Sequence, residues 1–254
     1  MNALILSIAA ANFANIFLKN MYHGRGFIIG KSSDGKKLVI VYLMTARSEP
    51  SKNRRLSKHP DGYIETIVAD PSKSAGDTAL TLYPAIMYSD NCIVVSNGKQ
   101  TPDALDIISS GGLLTTMSPK FEKKWQYEPD SIPTPRITGA IKINGDDFSF
   151  ETSVLLKSLF SDNVIHNMAK RSEVGSGFGY AVTTYTSPER NNALPFTGNP
   201  YLIPLDGDAQ TIADTYWNVL PEDLRISLAV SMIDLQTLEI DEPVIMNQFE
   251  LVTA

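Results

Sequence analysis

The sequence predicts an α+β protein in which two packed, mostly antiparallel sheets are covered by helices. Three observations support this class: short β-rich runs dominate the chain, Asp-Gly and Asn-Gly signals join some of them, and few segments have helical periodicity. Strands joined by tight turns run antiparallel, and amphipathic helices must bury an apolar face against a sheet. The simplest architecture is therefore two sheets face to face with helices outside.

The predicted strands are rich in β-branched and aromatic residues. They cover residues 26–30, 37–45, 63–69, 92–97, 136–143, 148–156, 178–186 and 225–235. The stretches "KSSDGKK" (31–37) and "INGDD" (143–147) contain the tight-turn signals, so each is predicted to close a hairpin. The segment from Asp241 onward is interpreted as a last strand that closes the fold.

Two internal segments have the pattern of a helix. The segment 101–112, "TPDALDIISSGG", begins with a threonine interpreted as the cap and a proline at the first helical position, and it ends in glycines. The segment 208–220 places Ile212, Tyr216 and Leu220 on one face. Both segments are expected to cover the sheets.

The first apolar stretch, "ALILSIAAANFANIFL" (3–18), is predicted to be a helix that lies against the domain. It has no basic residue before it, contains polar interruptions, and is shorter than the roughly 20 apolar residues of a membrane span. We therefore expect a helical extension over residues 1–20 and a single domain over 21–254. The residues at helical spacing, expected to mark its inward face, are Leu4, Ile8, Ala11, Asn15 and Leu18.

Composition excludes several classes of function. The chain has 254 residues, 43% of them hydrophobic, and its 22 basic and 28 acidic residues leave a net charge of −6. No general positive field therefore attracts nucleic acid or an anionic membrane. Cys92 is the single cysteine, which excludes an intrachain disulfide, and His23, His59 and His166 lack metal-ligand spacing. We expect a cytoplasmic protein that needs no metal or organic cofactor.

The first group of candidate site residues consists of donors that suit an anion. Arg25 lies between two glycines, so its backbone and its guanidinium can both approach a ligand. Arg47, Asn53 and Arg54 lie in "ARSEPSKNRRL", interpreted as a loop with enough donors to hold a phosphate. The alternative is a solvated basic loop on an acidic protein.

A second group lies at the ends of predicted strands. Tyr83 precedes a proline at the end of an apolar run, which suggests a phenol near a strand edge or one that only packs. Asn97 lies in a turn that leads into a helix N-terminus, which suits an anion but is also an ordinary connection. Glu128 and Arg136 flank the prolines of "YEPDSIPTPRITGAI", either in a ligand site or in a surface loop stiffened by proline.

Taken in order, these motifs resemble the stand-alone archaeal-type IMP cyclohydrolase family in its longer bacterial form. The resemblance covers about residues 20–235 and includes "YHGRGFIIG", "VYLMTARSEPSKNRRL", "TLYPAI", "CIVVSNGKQTPDAL" and "YEPDSIPTPRITGAI". His23 and Ala46 depart from the usual bacterial pattern, but both adjoin arginines of the motifs rather than replace them.

The resemblance implies a four-layer αββα sandwich like that of the N-terminal nucleophile hydrolases. It does not imply their chemistry, because a helix-like extension precedes the family region and Met21 stands where a nucleophile would be exposed. The implied reaction closes the purine ring of 5-formamidoimidazole-4-carboxamide ribonucleotide to give inosine monophosphate and water, without a cofactor.

The resemblance also implies roles for the candidate residues. Glu128 would orient or deprotonate the carboxamide, and Tyr83 and Arg47 would donate hydrogen bonds to the formyl oxygen, so these three are the expected catalytic residues. The expected substrate-binding residues are Arg25, Asn53, Arg54, Asn97 and Arg136.

Two other functions stay open on the sequence alone. The same pocket suits a nucleotide-binding or sensory protein without turnover, and the implied fold suits a hydrolase that acts on another amide. The expected partner is a nucleotide, with no nucleic acid and no membrane. Apolar strand edges and the N-terminal helix offer surfaces for assembly into a homo-oligomer.

Overall fold

The computed structural model describes residues 3–73, 81–114, 118–130, 132–189 and 192–252. Residues 1 and 2 of the predicted extension and Ser131 of the Glu128 motif lie outside the described residues. The helical elements are α1 (Ala3–Asn12), a π-helical turn (Phe13–Phe17), α2 (Glu49–Lys52), a 3₁₀ turn (Pro71–Lys73), α3 (Thr101–Ser109), α4 (Ser118–Lys124) and α5 (Ala209–Val219). The strands are β1 (Arg25–Lys31), β2 (Lys37–Thr45), β3 (Arg54–Lys58), β4 (Ile64–Val68), β5 (Pro84–Ser89), β6 (Cys92–Ser96), β7 (Arg136–Asn144), β8 (Asp147–Lys157), β9 (Val164–Arg171), β10 (Phe178–Thr183), β11 (Tyr201–Pro204), β12 (Arg225–Asp234) and β13 (Val244–Asn247).

Across the described ranges the strands form two antiparallel sheets, which confirms the predicted α+β class. The six-stranded sheet has the order β11-β10-β1-β2-β12-β13, and the seven-stranded sheet has the order β3-β4-β5-β6-β7-β8-β9. Both predicted hairpins are present, since β1 pairs with β2 and β7 pairs with β8 in antiparallel register. The predicted closing strand is β13, which pairs with β12 at an edge.

Four strands of the described ranges were not revealed by the sequence: β3, β5, β9 and β11. Two of them, β3 and β9, have polar or charged faces. β3 reads "RRLSK" and lay within the segment interpreted as a loop, which instead contains α2 and the start of β3. β9 reads "VIHNMAKR", with half-buried and exposed positions along its length. Both are edge strands, where one side of the backbone has no strand neighbour and polar side chains are tolerated. This explains why periodicity alone missed them.

The main core fills the space where the two sheets face each other. Residues at alternate positions of β7, Ile137 and Ile141, join this core, and Ala140 on the other face of the strand packs under α3. Gly139 lets the sheets approach, because a Cβ there would lie 2.6 Å from the Ile29 Cδ1 atom. The sheets therefore meet as two closely packed layers.

Helices cover the outer faces of both sheets. α5 contacts β12 and β13, and its Ile212, Tyr216 and the following Leu220 are buried as predicted. α3 packs on β5, β6 and β7. Its N-cap is Gln100, so the interpretation of Thr101 as the cap was wrong: Thr101 is the first helical residue, and its hydroxyl bonds to backbone carbonyls.

The N-terminal helix forms as predicted, but the predicted inward face was wrong. Leu4, Ile8 and Leu18 are 63%, 45% and 42% exposed, whereas Ala9 and Phe17 are 0% exposed. Phe17 ends the π-helical turn, so simple α-helical spacing does not apply to that part of the segment. No helix in the described part of the chain is long and apolar enough to cross a membrane.

Candidate functional site

Glu128 lies in a stiff loop between α4 and β7. Its backbone N–H donates to the Thr134 carbonyl at 2.8 Å, which closes the loop as an isolated β-bridge. Asp130 caps the turn by accepting from the Thr134 N–H at 2.9 Å and from its hydroxyl at 2.6 Å. Pro133 and Pro135 flank Thr134 and fix its neighbouring φ angles. The loop therefore presents Glu128 in one orientation.

The Glu128 carboxylate is buried between two arginines. Arg25, the first residue of β1, donates to the Glu128 Oε2 atom, and Arg136, the first residue of β7, places its Nη1 atom 3.6 Å from Oε1. The Glu128 side chain is 2% exposed, and those of Arg25 and Arg136 are 13% and 9% exposed. The two guanidinium groups therefore cover the carboxylate and separate it from most of the solvent.

Burial dominates the electrostatics of this cluster. Desolvation raises the pKa of Glu128 above its ordinary value, although Arg25 and Arg136 oppose the shift. Burial works to lower the pKa of Arg25, but Glu128 and the nearby tyrosine oxygens outweigh it, so the pKa of Arg25 is raised. The pKa of Arg136 is lowered by burial. Glu128 thus takes up a proton more readily than an exposed carboxylate.

A pair of phenols lies beside the arginines. The hydroxyls of Tyr42, on β2, and Tyr83, just before β5, are 2.9 Å apart, and both side chains are buried. Burial raises the pKa of Tyr42 well above its ordinary value, so this phenol stays protonated. The two oxygens are close enough to Arg25 to influence its pKa. The pair can supply a hydrogen bond without carrying charge.

The turn after β6 forms a frame for Arg136. Asn97 donates to the Pro135 carbonyl at 2.8 Å and accepts from the Ile137 N–H at 2.8 Å, so it ties this turn to both sides of Arg136. Gln100 accepts from Arg136 at 3.2 Å. A Cβ at Gly98 would lie 2.6 Å from both the Arg136 Nη1 atom and the Gln100 Oε1 atom, so a side chain there would displace one of these groups.

Several polar atoms of this cluster have no hydrogen-bond partner among the residues that the structure describes. They are the Arg25 Nε, Arg54 Nη1, Arg136 Nε and Glu128 Oε1 atoms. Arg54 is 2% exposed, donates from Nε to the Ser51 carbonyl at 2.8 Å, and lies close enough to Tyr42 to influence its pKa. Buried donors are rarely left unpaired in a folded protein, so this concentration indicates capacity for a ligand.

Two predicted residues lie outside the immediate contacts of Glu128. The Arg47 guanidinium lies 4.3 Å from the centre of the Tyr22 ring, and that ring stacks on Tyr185 at 5.3 Å. Asn53 uses both its amide atoms on the backbone of Asp70, at 2.9 and 2.8 Å. Arg47 thus borders the site, whereas the Asn53 side chain holds a neighbouring turn; the ligand roles of both stay predictions.

The sequence reasoning missed three polar residues of the site: Tyr42, Gln100 and Tyr185. Tyr42 lies in the fully apolar run of β2, where its hydroxyl was the one signal of a polar neighbour. Tyr185 bonds through its hydroxyl to Thr134 at 2.6 Å, a contact between segments 51 residues apart. Gln100 follows the Ser-Asn-Gly motif and is fully buried. Only their tertiary contacts reveal their importance.

The arrangement suits acid–base chemistry on a polar, anionic molecule. A buried carboxylate with a raised pKa can accept a proton, and neutral phenols and guanidinium groups can stabilise negative charge on oxygen. Among the described residues no group of three or more His, Cys, Asp or Glu side chains is placed to hold a metal ion.

Comparison with known proteins gives consistent matches. The model of a family described as "IMP cyclohydrolase-like protein" matches residues 22–237. A protein named IMP cyclohydrolase from Methanocaldococcus jannaschii is 27% identical over 227 residues, which cover 87% of this chain and 98% of the relative. A protein of that name from Methanothrix thermoacetophila is 32% identical over 122 residues, covering 48% of this chain and 58% of the relative. Another from Methanosphaera stadtmanae is 28% identical over 171 residues, covering 65% and 74%.

Proposed function

The chain belongs to the family of IMP cyclohydrolase-like proteins, and we propose that it is an IMP cyclohydrolase. It closes the purine ring of 5-formamidoimidazole-4-carboxamide ribonucleotide to give inosine monophosphate and water. The observation that carries this proposal is a buried carboxylate, Glu128, held between two arginines beside a pair of phenols, with hydrogen-bonding atoms left for a ligand.

The reaction requires proton transfers at defined atoms. The carboxamide nitrogen attacks the formyl carbon, a C–N bond forms, and this nitrogen gives up one proton while the formyl oxygen gains negative charge. A proton on that oxygen gives a hydroxyl on a tetrahedral carbon. Loss of this hydroxyl with a second proton, from the formamide nitrogen, releases water and forms the C=N bond. The chain must therefore supply a base for nitrogen and donors for oxygen.

Glu128 is the proposed base. Its Oε2 atom is occupied by Arg25, whereas Oε1 accepts no hydrogen bond from any described residue and can receive the carboxamide N–H. A raised pKa improves this base, because an amide nitrogen is a very weak acid and the carboxylate must hold its proton in the transition state. The closed loop between Glu128 and Thr134 keeps the carboxylate from turning away.

The phenol pair is proposed to serve the formyl oxygen. A neutral Tyr83 can donate to the developing oxyanion, and Tyr42 behind it keeps the phenol oriented through the 2.9 Å contact. Arg47 is proposed to reach the same oxygen from the rim of the site, where it lies over Tyr22.

The remaining cationic groups are proposed to bind the nucleotide. Arg54 is buried and keeps an unpaired Nη1 atom, which suits a phosphate oxygen or a ribose hydroxyl. Arg136, framed by Asn97 and Gln100, is proposed to contact the base edge. Asn53 is retained as a proposed ligand on the rim, although its contacts in this structure go to Asp70.

The direct test is to mix the purified protein with the formamido nucleotide and follow ultraviolet absorbance, because ring closure changes the chromophore. The expected result is a time-dependent spectral change at catalytic protein concentrations, with inosine monophosphate as the product by chromatography. Binding of the nucleotide without any spectral change would indicate a binding protein and overturn the proposed activity. The kcat/KM is expected to fall on the acid side as Glu128 is protonated, above the ordinary pKa of a glutamate.

The fold family, the domain bounds, the cellular location and self-assembly are also proposed. Helices outside two facing antiparallel sheets support the sandwich of the N-terminal nucleophile hydrolases. The family match begins at residue 22, which supports a helical extension before a single domain that runs from Met21. A cytoplasmic location fits a nucleotide substrate and a chain with one cysteine. Exposed apolar residues on α1 support self-assembly.

A further inference from the structure

We infer that Tyr185 is a positioning residue that holds the Glu128 loop, and that the segment 3–21 before the family region supports catalysis through it. The inference rests on the proposed function, because it assigns the aim of Glu128 to residues that do not touch the reacting atoms. The family match begins at residue 22, so this segment is an addition to the matched region.

The first link joins Tyr185 to the catalytic loop. The Tyr185 hydroxyl lies 2.6 Å from the Thr134 Oγ1 atom, and the Thr134 carbonyl accepts the Glu128 N–H at 2.8 Å. The Thr134 hydroxyl donates its hydrogen bond to the Asp130 carboxylate, so the Tyr185 hydroxyl is the donor in its contact with Thr134. Burial raises the pKa of Tyr185 to about 12, which keeps that donor protonated. One phenol thus holds the Thr134 end of the loop.

The second link joins Tyr185 to the N-terminal segment. Asn20, which is 4% exposed, donates to the Tyr185 carbonyl at 2.8 Å and accepts from the Ser187 N–H at 2.8 Å and the Tyr22 N–H at 3.2 Å. The Tyr22 and Tyr185 rings stack with 5.3 Å between their centres. A single buried amide therefore fixes the two chain segments that carry the stacked rings.

The third link anchors the segment to the six-stranded sheet. The Phe17 ring is fully buried, lies 4.6 Å from the His23 ring and packs edge-on against Tyr216 at 5.3 Å. The His23 Nε2 atom lies 3.2 Å from the Phe17 carbonyl and acts as the donor there. His23 precedes Arg25 by two residues, so the segment also braces the start of β1, which carries one partner of Glu128.

These contacts indicate positioning rather than substrate binding. The Tyr185 side chain is 4% exposed and its hydroxyl is already engaged by Thr134. Loss of that hydroxyl leaves the ligand donors in place but frees the loop. A misplacement of about 1 Å in a reacting group can cost on the order of 100-fold in rate. The expected change is therefore in kcat, with little change in KM.

The test compares two variants of the full chain, each of which lacks one hydroxyl group. Tyr185→Phe is expected to lower kcat for ring closure by about tenfold to 100-fold and to leave KM within about threefold. The matched control is Tyr216→Phe, which removes a hydroxyl that donates to the Pro204 carbonyl but keeps the ring that packs against Phe17. Both variants lose a buried hydrogen bond, so both should unfold at a lower temperature, but the control should keep its kcat.

A double-mutant cycle identifies the contact. Thr134→Val should lower kcat at least as much as Tyr185→Phe, because it also removes the hydrogen bond to Asp130. The double variant should be no worse than Thr134→Val, because both lack the hydrogen bond between Thr134 and Tyr185. Thr134→Ser keeps the hydroxyl and should retain most of the kcat. Parental kcat in Tyr185→Phe, or losses that multiply in the double variant, would overturn the positioning role. A parent protein without ring closure overturns the proposed function, and this inference with it.

The role of the N-terminal segment is tested by a matched pair of asparagines. Asn20→Ala breaks the link to Tyr185 and is expected to lower kcat at least several-fold at unchanged KM. Asn15→Ala removes an exposed amide that accepts from Lys19 in the same segment, and kcat should not change. Equal kcat values in the two variants, with both proteins folded, would separate the segment from catalysis.

Discussion

Two polar clusters in this protein have opposite characters. The Glu128 cluster forms where β1 and β7 begin, and it leaves carboxylate and guanidinium atoms without partners among the described residues. The second cluster lies on the helix-covered face of the seven-stranded sheet. There the His166 Nε2 atom is 2.7 Å from the Ser153 hydroxyl, and Nδ1 is 2.5 Å from the Glu122 carboxylate of α4.

The second cluster has the hydrogen-bond order of a catalytic triad, but its serine is not accessible to a substrate. A serine, a histidine and a carboxylate are bonded in sequence, as in serine hydrolases. Ser153, however, is 1% exposed within a continuous strand, and each of its partners is engaged. A closed polar chain of this kind stabilises the docking of α4, whereas an open cluster retains capacity for a ligand. Unpaired atoms, rather than familiar residue types, thus mark the site.

The strongest way to break this contrast is the same substitution in both clusters. Glu128→Gln keeps the size of the side chain but removes the base, so kcat should fall by about 100-fold to 10,000-fold while product affinity stays near normal. Glu122→Gln should keep kcat within about twofold. Steady-state rates of ring closure and calorimetric titration with inosine monophosphate measure both quantities. Full activity in Glu128→Gln would remove this residue from the mechanism.

The next largest effect is expected at the phenol pair. Tyr83→Phe removes the proposed donor to the formyl oxygen and should lower kcat by about tenfold to 100-fold, at or below the usual loss for one oxyanion donor. Tyr88→Phe is the control, because Tyr88 is a partly buried phenol and donates to Ser231 at 2.9 Å between the two sheets. Similar losses in both variants would mean that general destabilisation, not the oxyanion, explains the result.

Local patterns predicted the elements of the fold better than the contacts of the site. The β-branched run of β2 predicted its bounds, Lys37–Thr45, because burial on both faces requires a continuous apolar strand. β3 was missed because its first residue, Arg54, is charged, although tertiary contacts bury it to 2% exposure. Propensity describes the chain alone, and it cannot include a partner that arrives from another strand.

The site was predicted only through residue types and a family resemblance. Arg25 and Glu128 are 103 positions apart, and no local signal brings them together. Tyr42 was treated as part of a strand core because its neighbours are apolar, and its phenol was found only by its contact with Tyr83. Asn53 shows the opposite case. It is polar and adjacent to Arg54 in the sequence, but its side chain hydrogen-bonds to the backbone of Asp70.

A smaller effect, on the binding of the nucleotide, is expected for Arg54 of β3. Arg54→Ala removes a buried donor with an unpaired Nη1 atom, so the Kd for inosine monophosphate should rise by about tenfold, as for one charge-assisted hydrogen bond. Arg171→Ala on the edge strand β9 is the control, because the Arg171 guanidinium donates to the Lys170 carbonyl at 2.9 Å and lies over the Tyr180 ring. Titration calorimetry on folded protein decides the matter, and unchanged affinity in Arg54→Ala would refute the proposed contact with the nucleotide.

The smallest effect on activity is expected at His166, where the change should appear in stability. Burial lowers the pKa of His166, although Glu122 opposes the shift, so the folded protein binds fewer protons there than the unfolded chain. The contribution is therefore present above about pH 6.5, the unfolded pKa, and is lost as the pH falls toward the lower folded pKa. His166→Gln should keep kcat within about twofold and flatten part of the acid loss of unfolding free energy below about pH 6.5.

His23, whose pKa burial lowers to about 4, should contribute to the acid loss that remains. Denaturant unfolding at several pH values measures the difference. A large loss of kcat in His166→Gln would show that the closed cluster also serves the reaction.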